Sequence, residues 1–452
     1  MMDELESNND ELRSSTRSKL DGDPKIGCLC NKNGLLLKTY GWVVKNAIGI
    51  ILLIHGLKAH TRLTFMKINI KMPNGSEDLV VDTNNYYIYK DSWIEKFNQN
   101  GYSVYGIDLQ GHGESQAWKD VRGDFTCFND LVDDVIQYMN QIQNEISNEN
   151  QTDDKSHDII TTKKQKLPMY IVGHSMGGNI ALRILQLLGK ENQYKTNSGK
   201  SSNYKKCNII LDSSTDINEI DNDLVENMIN DNSVKHISNK RCITNPKNDD
   251  SDHSCASTSS TTNAIVSSND KHEICYNYLD DLNIKGCVSL SGMIILKTSW
   301  NAGNKSFKYL YLPATRFLSC VAPHKRTSSS RYKKSEHHAN ICKYDKFRNS
   351  DEVKYKCISE LIKGTITLNC NIKYMPKDIP LLFVHSKDDS SCSYEGAVSF
   401  YNKVNAHNKK FHSVDGMNHA ITIEAGNEDI LKAIVDWISD VRSNCEYEIE
   451  DE

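Results

Sequence analysis

The sequence predicts an α/β fold whose central sheet is mostly parallel and covered by helices on both faces. Three observations carry that expectation. Short apolar runs rich in Ile, Val and Leu end in Gly, Asp or His: Ile48 to Ile54 runs into His55-Gly56, Tyr102 to Ile107 into Asp108, Met169 to Val172 into Gly173, and Leu381 to Val384 into His385. Buried parallel strands read this way because neither face meets water. A further run of this kind spans Cys287 to Leu290. Between the runs lie helical patterns, clearest where Leu131, Val132, Val135, Ile136, Met139 and Ile142 recur at i+3 and i+4 spacing. Strand and helix alternate, which is the order that builds a parallel sheet.

A length of 452 residues allows two or three domains, or one large α/β domain with insertions. The mean hydropathy of -0.56 is low for such a fold and points to polar filler diluting an ordinary core. Fifty-four basic and 59 acidic residues leave a net charge of -5 with no face-wide basic excess, so nucleic acid is not expected as a partner. The 14 cysteines are scattered singly apart from Cys28 and Cys30, without disulfide-framework or zinc spacing, and read as free thiols in a reducing compartment. Met1 to Asp23 is polar with no signal-like apolar region, and no 18-residue apolar run occurs. Residue 2 is Met and the C-terminus is Glu-Asp-Glu, so myristoylation and prenylation motifs are absent. A soluble, cytoplasmic protein is expected, with peripheral membrane contact through a cap.

Composition divides the chain further. Residues 1–23 read as a disordered N-terminal segment, 24–188 as the first part of the core, and 189–281 as a disordered low-complexity insertion rich in Asn, Ser, Asp, Lys and Thr. Residues 282–296 return to the core. Residues 297–375 mix apolar and aromatic side chains (Trp300, Phe307, Tyr309, Leu310, Tyr311, Phe317, Leu318) with basic loops and read as a small helical cap. Residues 376–444 complete the core, and 445–452 form an acidic tail.

The sharpest chemical signal is Gly173-His174-Ser175-Met176-Gly177-Gly178, between an apolar run and a helical pattern (Ile180, Leu182, Ile184, Leu185, Leu188). A nucleophile elbow needs small residues flanking the serine, because side chains there would collide in the strained turn that presents the hydroxyl. A bare Gly-x-Ser-x-Gly can be an ordinary turn; the strand-turn-helix setting argues against that. A serine nucleophile needs a base, and the base needs a partner to hold its tautomer. Downstream, Asp389 follows His385-Ser386-Lys387-Asp388, and His419 follows the short run Phe411 to Val414 and precedes the helical pattern Ile430 to Ile438. Ser175, Asp389 and His419 thus stand in α/β-hydrolase order. Asp388 competes with Asp389. Two backbone N–H groups are needed for an oxyanion hole. Met176, next to the nucleophile, offers one; Leu57, beyond His55-Gly56 at the end of an apolar run, offers the other. No metal or cofactor is needed for this chemistry.

Other features weigh less. Cys28-Leu29-Cys30 alternates ahead of a strand and reads as structural rather than as a lipidated or redox pair. His337, His338 and Cys342 have loosely ligand-like spacing, but no second pair completes a metal site.

At these residues the sequence resembles the monoacylglycerol lipase and lysophospholipase group of α/β-hydrolases, which is grouped with serine aminopeptidase-like hydrolases. The matching pieces are Ile54-His55-Gly56-Leu57-Lys58-Ala59-His60, Gly106-Ile107-Asp108-Leu109-Gln110-Gly111-His112-Gly113-Glu114-Ser115, the elbow, Asp389 with Tyr394-Glu395-Gly396-Ala397, and Gly416-Met417-Asn418-His419 with Glu424-Ala425-Gly426-Asn427-Glu428. Within the group, the lysophospholipase-like branch of malaria parasites looks closest, given the Asn-rich insertion. The resemblance implies an α/β-hydrolase fold, hydrolysis of carboxylic esters of monoacyl lipids under a cap that admits one acyl chain, and a structural role for His60 beside the oxyanion loop. A general carboxylesterase and an aminopeptidase of the same fold are the alternatives. The insertion after the elbow helix and the long stretch between Arg62 and Tyr86 depart from the pattern.

Overall fold

The computed structural model describes residues 20–71, 80–149, 166–198, 279–297, 312–323, 325 and 335–450. All lie in one of the two units into which the chain divides, Met1–Cys207 with Tyr276–Glu452. Most of the expected insertion lies outside the described residues. So do the first 19 residues, Trp300, Phe307, Tyr309, Leu310, Tyr311, Arg326, Arg331, Lys333 and Lys334.

Eight strands form the central sheet of an α/β-hydrolase fold. In chain order they are β1 (Lys25–Cys30), β2 (Leu36–Trp42), β3 (Gly49–Ile54), β8 (Tyr102–Ile107), β9 (Met169–His174), β10 (Ile284–Leu290), β11 (Leu381–Ser386) and β12 (Lys409–Val414). Across the sheet the order is β1-β2-β8-β3-β9-β10-β11-β12. From β8 to β12 every pairing is parallel, while β2 runs antiparallel to both β8 and β1. β3, β8, β9 and β11 are buried at every residue, which is why they read as unbroken apolar runs.

Alternate residues of these strands serve opposite faces. Ile51, Leu53, Val104, Val172 and Val288 share one core with Trp93, Ile94 and Phe97 of α2 (Trp93–Gln99) and with Ile430, Leu431, Ile434 and Ile438 of α9 (Asn427–Glu450), the helix that follows α8 (Tyr394–Lys403). α3 (Phe128–Glu149) and α4 (Met176–Ser198) pack together on the other face, α4 directly against β3, β9 and β10. Among the described residues no helix is long and apolar enough to cross a membrane.

The edge hairpin β1–β2 turns at Asn31, whose Oδ1 accepts the N–H groups of Asn33 and Leu35 at 3.0 and 2.9 Å. Gly34 takes a φ of 75° in this turn. In β1 only Leu29 of Cys28-Leu29-Cys30 is buried, and both thiols are free.

Three segments differ from expectation. α4 runs to Ser198, past the expected boundary at Gly189. Gly189 sits inside the helix because a Cβ there would come within 2.0 Å of the Tyr374 carbonyl oxygen. The polar turn beyond is held by Lys195, paired to Glu191 at 2.7 Å and to Asp280 at 2.9 Å. α9 continues to Glu450, through most of the expected acidic tail, after a buried run of Trp437, Ile438 and Val441. The long stretch after Arg62 doubles back as two short ribbons. β4 (Lys67–Ile68) pairs with β7 (Tyr87–Ile88), and β5 (Ile70–Lys71) with β6 (Val80–Val81).

The expected cap contributes α5 (Leu312–Val321), α6 (Glu336–Tyr344) and α7 (Tyr355–Cys370). α7 is rooted on the body: a Cβ at Gly364 would meet the Phe128 ring at 2.9 Å, and Gln186 Nε2 donates to the Leu368 carbonyl at 2.8 Å. Phe317, one of the aromatic side chains of this segment, is 68% exposed in α5.

Candidate active site

The parallel strands deliver their chemistry at their C-terminal ends, as open α/β sheets do. β9 ends at His174, and Ser175 follows with a φ of 56°, the left-handed region that costs a non-glycine residue energy. The turn is enforced by neighbours on every side. A Cβ at Gly173 would lie 2.3 Å from the Gly177 carbonyl oxygen, and one at Gly177 would lie 2.2 Å from that of Ile54. Ser175 N–H donates to the Leu290 carbonyl at 2.9 Å, and its own carbonyl accepts from Met293 N–H at 2.8 Å.

The structure brings Ser175, His419 and Asp389 into one line. Ser175 Oγ lies 2.7 Å from His419 Nε2, and His419 Nδ1 lies 2.7 Å from Asp389 Oδ2. Asp389 is fully buried; its Oδ1 accepts the N–H groups of Ser391 and Cys392 at 2.7 and 2.9 Å. His385 Nε2 stands 3.4 Å from Oδ2. Burial is the largest influence on this carboxyl and would raise its pKa, but His419 and His385 together hold it well below the ordinary carboxylate range. Asp388 is exposed, and its Oδ2 accepts Gly416 N–H at 2.9 Å, so it braces the loop that carries His419 and stays off the ring.

His174, between the elbow glycine and the serine, donates through Nε2 to the His419 carbonyl oxygen at 3.0 Å. Burial, and then the charge of His419, push its pKa down to about 3, so it is a neutral, fixed donor. Lys297 Nζ donates to the Asp389 carbonyl oxygen at 2.9 Å from the start of the segment expected to form the cap, next to Leu296, which bridges Cys392. The sequence reading missed His174 and Lys297 as site residues and used His385 only as a landmark. His174 had a visible signal, its place inside the elbow motif.

On the opposite side, a Cβ at Gly56 would come 2.9 Å from Ser175 Cβ, so the backbone leading to Leu57 lies directly against the serine. Ala59 N–H closes a turn on the Gly56 carbonyl at 3.3 Å, and Lys58 inside it has a φ of 64°. His55 braces the turn from below: Nε2 accepts Leu109 N–H at 2.9 Å, which leaves the proton on Nδ1 to donate to the Gly56 carbonyl at 2.7 Å. Burial, and then His112, push the His55 pKa down to about 3. Met176 opens α4, so its N–H is among those a helix leaves without an intrahelical acceptor.

Asp108, from the Asp-x-x-Gly-His-Gly-x-Ser block, is buried beneath the same loop and accepts Thr61 N–H at 2.9 Å and Glu114 N–H at 3.1 Å. Gly113 must be a glycine here, since a Cβ would stand 2.1 Å from Asp108 Oδ2.

Asp389, Cys392 and His419 each place one potential metal-ligand atom within 4.8 Å of the others. His419 and Asp389 already bond each other, and burial pushes the Cys392 thiol well above its ordinary value, which keeps it a protonated, poor ligand. His338 and Cys342 are both buried in α6, where Ser335 caps the helix through His338 N–H at 3.1 Å.

The sequence profile of the Hydrolase_4 family, described as serine aminopeptidase S33, matches residues 84–197 and 274–426, more than half of the chain. No curated protein matches the sequence. Among solved structures, a soluble variant of monoglyceride lipase from Saccharomyces cerevisiae in complex with a substrate analog is similar at a TM-score of 0.53 and 14% identity, covering 92% of this chain and 96% of that one. A carboxyl esterase from Bacillus coagulans in complex with glycerol is similar at a TM-score of 0.51 and 14% identity, covering 92% and 98%. At such identities the likeness speaks to the fold.

Proposed function

The chain belongs to the serine aminopeptidase S33 family, and from that premise we propose that it is a serine hydrolase cleaving the carboxylic esters of monoacyl lipids. The observation that carries the reading is the unbroken line from Ser175 Oγ through His419 to Asp389, each step 2.7 Å. As Ser175 Oγ attacks the ester carbonyl carbon, its proton passes to His419 Nε2. The buried Asp389 carboxylate stabilises the imidazolium through Nδ1–H and fixes the tautomer that the first step needs. The N–H groups of Leu57 and Met176 receive the charge developing on the carbonyl oxygen. His419 then returns the proton to the leaving alcohol, and a water attacks the acyl-enzyme by the same route to release the acid. No step requires a metal or cofactor.

Support for a monoacyl lipid comes from the motif resemblance to the monoacylglycerol lipase and lysophospholipase group, its malaria-parasite branch included, and from a fold neighbour that is a monoglyceride lipase. The sequence of the cap adds Trp300, Phe307, Tyr309 and Tyr311 as apolar cover, with Lys325, Arg326, Arg331, Lys333 and Lys334 for contact with an anionic lipid surface. The family name favours a second reading, release of N-terminal residues from peptides, which calls for an acidic pocket where the cap sequence is basic and aromatic.

The test is a panel of monoacylglycerols, lysophospholipids, short-chain esters and aminoacyl amides. Each methylene buried under the cap adds roughly 0.8 kcal/mol. The lipid reading expects kcat/KM to climb from short to medium acyl chains. A flat profile points to a general carboxylesterase, and faster cleavage of aminoacyl amides to a peptidase.

A further inference from the structure

We propose that Asp345 is a positioning residue for the oxyanion loop, acting through His60; the proposal rests on the reading of Ser175 as nucleophile and of Leu57 as an oxyanion donor. Asp345 lies just beyond α6, in the segment expected to form the cap, and is buried beside His60, 285 positions away in sequence.

Both of its carboxylate oxygens are in use. Oδ1 accepts the N–H groups of Phe347 and Arg348 at 2.8 and 2.9 Å, Oδ2 accepts the Tyr87 hydroxyl at 2.9 Å, and His60 Nε2 stands 3.2 Å from each. His60 Nδ1 accepts Leu63 N–H and caps α1 (Thr61–Phe65), so the imidazole proton resides on Nε2 and points at the carboxylate. The rings of Tyr87 and Phe347 stand edge-on to the imidazole at 5.5 and 6.1 Å, and the Arg62 guanidinium packs over Tyr87 and Phe347 at 4.6 and 5.1 Å.

His60 ends the short loop that begins at Gly56, whose backbone abuts Ser175. The loop is therefore fixed at one end by β3 and His55, and at the other by His60. The backbone just past His60 is tied to the core, through Thr61 N–H and Asp108. The His60 side chain is tied to the distant segment, through Asp345 and Tyr87. That segment is itself held down, by Tyr86 donating to the Ile341 carbonyl at 2.6 Å and by Arg122 donating to the Phe347 carbonyl. An oxyanion donor acts only when placed to within a fraction of an ångström. The geometry thus makes the donor's placement depend on seating of the segment that carries Asp345.

Asp345→Asn keeps the shape but leaves one acceptor oxygen where two are engaged, so either the turn at Phe347 or the His60–Tyr87 pair loses its partner. The experiment uses the full chain as wild type, Asp345→Asn, His60→Asn, the double variant and Tyr87→Phe. It reads kcat and KM for p-nitrophenyl octanoate, affinity for an octyl trifluoromethyl ketone that forms an oxyanion on Ser175, and thermal unfolding.

For Asp345→Asn we expect kcat to fall by about 10- to 100-fold with KM within about threefold, and ketone affinity to fall by the same factor as kcat/KM. The double variant should be no worse than the poorer single variant. A folded Asp345→Asn with unchanged kcat, or with kcat lost but ketone affinity intact, overturns the proposal. Should Asp345→Asn fail to fold, Tyr87→Phe decides: a smaller loss split the same way supports the proposal, and unchanged kcat overturns it. Failure of the hydrolase reading is recognised separately, because wild type would then show no turnover that Ser175→Ala abolishes.

Discussion

Of two buried histidine–aspartate pairs, one meets Ser175 and the other stands at the end of the loop whose start abuts it. They differ in which imidazole nitrogen faces the carboxylate and in what the other nitrogen meets. In each, a carboxylate accepts two backbone N–H groups through Oδ1 and meets an imidazole nitrogen: Asp389 takes Ser391 and Cys392, Asp345 takes Phe347 and Arg348. In each, burial is the largest influence on the carboxyl and would raise it, yet the neighbouring histidine helps hold it below its ordinary value. The far nitrogen separates them. On His419 it faces the Ser175 hydroxyl at 2.7 Å, whereas on His60 it accepts a helix N–H. In the proposed mechanism the pair moves a proton where its outer nitrogen meets a hydroxyl, and in the proposed positioning role it holds backbone where that nitrogen meets an amide.

Asp389→Asn sharpens this contrast most. It should lower kcat by roughly 10³- to 10⁴-fold through loss of the correct tautomer, at least tenfold more than Asp345→Asn measured under the same steady-state conditions. Equal losses would mean that the two pairs play equivalent roles.

Gly177→Ala attacks the fold on which both pairs depend. Its Cβ would meet the Ile54 and His55 carbonyl oxygens at 2.2 and 2.7 Å, backbone atoms that cannot rotate away. A loss of about 3 kcal/mol or more, or no soluble protein, is expected from such overpacking. A melting temperature near that of wild type would show that the elbow is looser than its contacts imply.

Acid should loosen both sides together. His174 and His55 are depressed to about 3 and His112 to about 4, chiefly by burial, from an ordinary 6.5. Each contributes stability that is present above pH 6.5 and lost as pH falls toward the folded-state value, because the unfolded chain takes up the proton first. Asp134, raised to about 7 chiefly by burial, opposes them, since its contribution is present below its ordinary 3.8 and lost as pH rises through 7. Asp21 and Glu191, also raised chiefly by burial, act in the same sense as Asp134 but less strongly, so the three imidazoles leave stability falling between pH 6.5 and 5, at about 1.4 kcal/mol per pH unit for each net proton. Thermal unfolding at pH 7, 6 and 5 should show a descending midpoint; a rising one contradicts the assignment of neutral buried histidines.

The smallest effect is expected at Asp388→Asn, which weakens one contact to Gly416 and should change kcat by no more than about threefold. An effect as large as that of Asp389→Asn would move the orienting role from Asp389 to Asp388.

What the sequence discloses follows from how locally each feature is encoded. The elbow is legible because Gly173, Ser175 and Gly177 fall within one turn, and the buried strands because solvent is excluded from both their faces. The pairing of Asp345 with His60 is not legible: it joins positions 285 apart, and nothing in Lys343-Tyr344-Asp345-Lys346 marks the aspartate. The end of α4 is masked for another reason. Gly189 looks like a stop, but it is small because Tyr374 crosses the helix there. The turn at Asn33-Gly34 was a usable hairpin signal that the strand reading did not take up.

The central claim is that Ser175 is the nucleophile. Labelling wild type and Ser175→Ala with a fluorophosphonate probe, followed by peptide mapping, tests it most directly. The account predicts a single adduct on Ser175, no labelling of Ser175→Ala at an unchanged melting temperature, and loss of more than about a thousandfold in ester turnover. An adduct on another residue, or a Ser175→Ala protein that is still labelled and active, would contradict it.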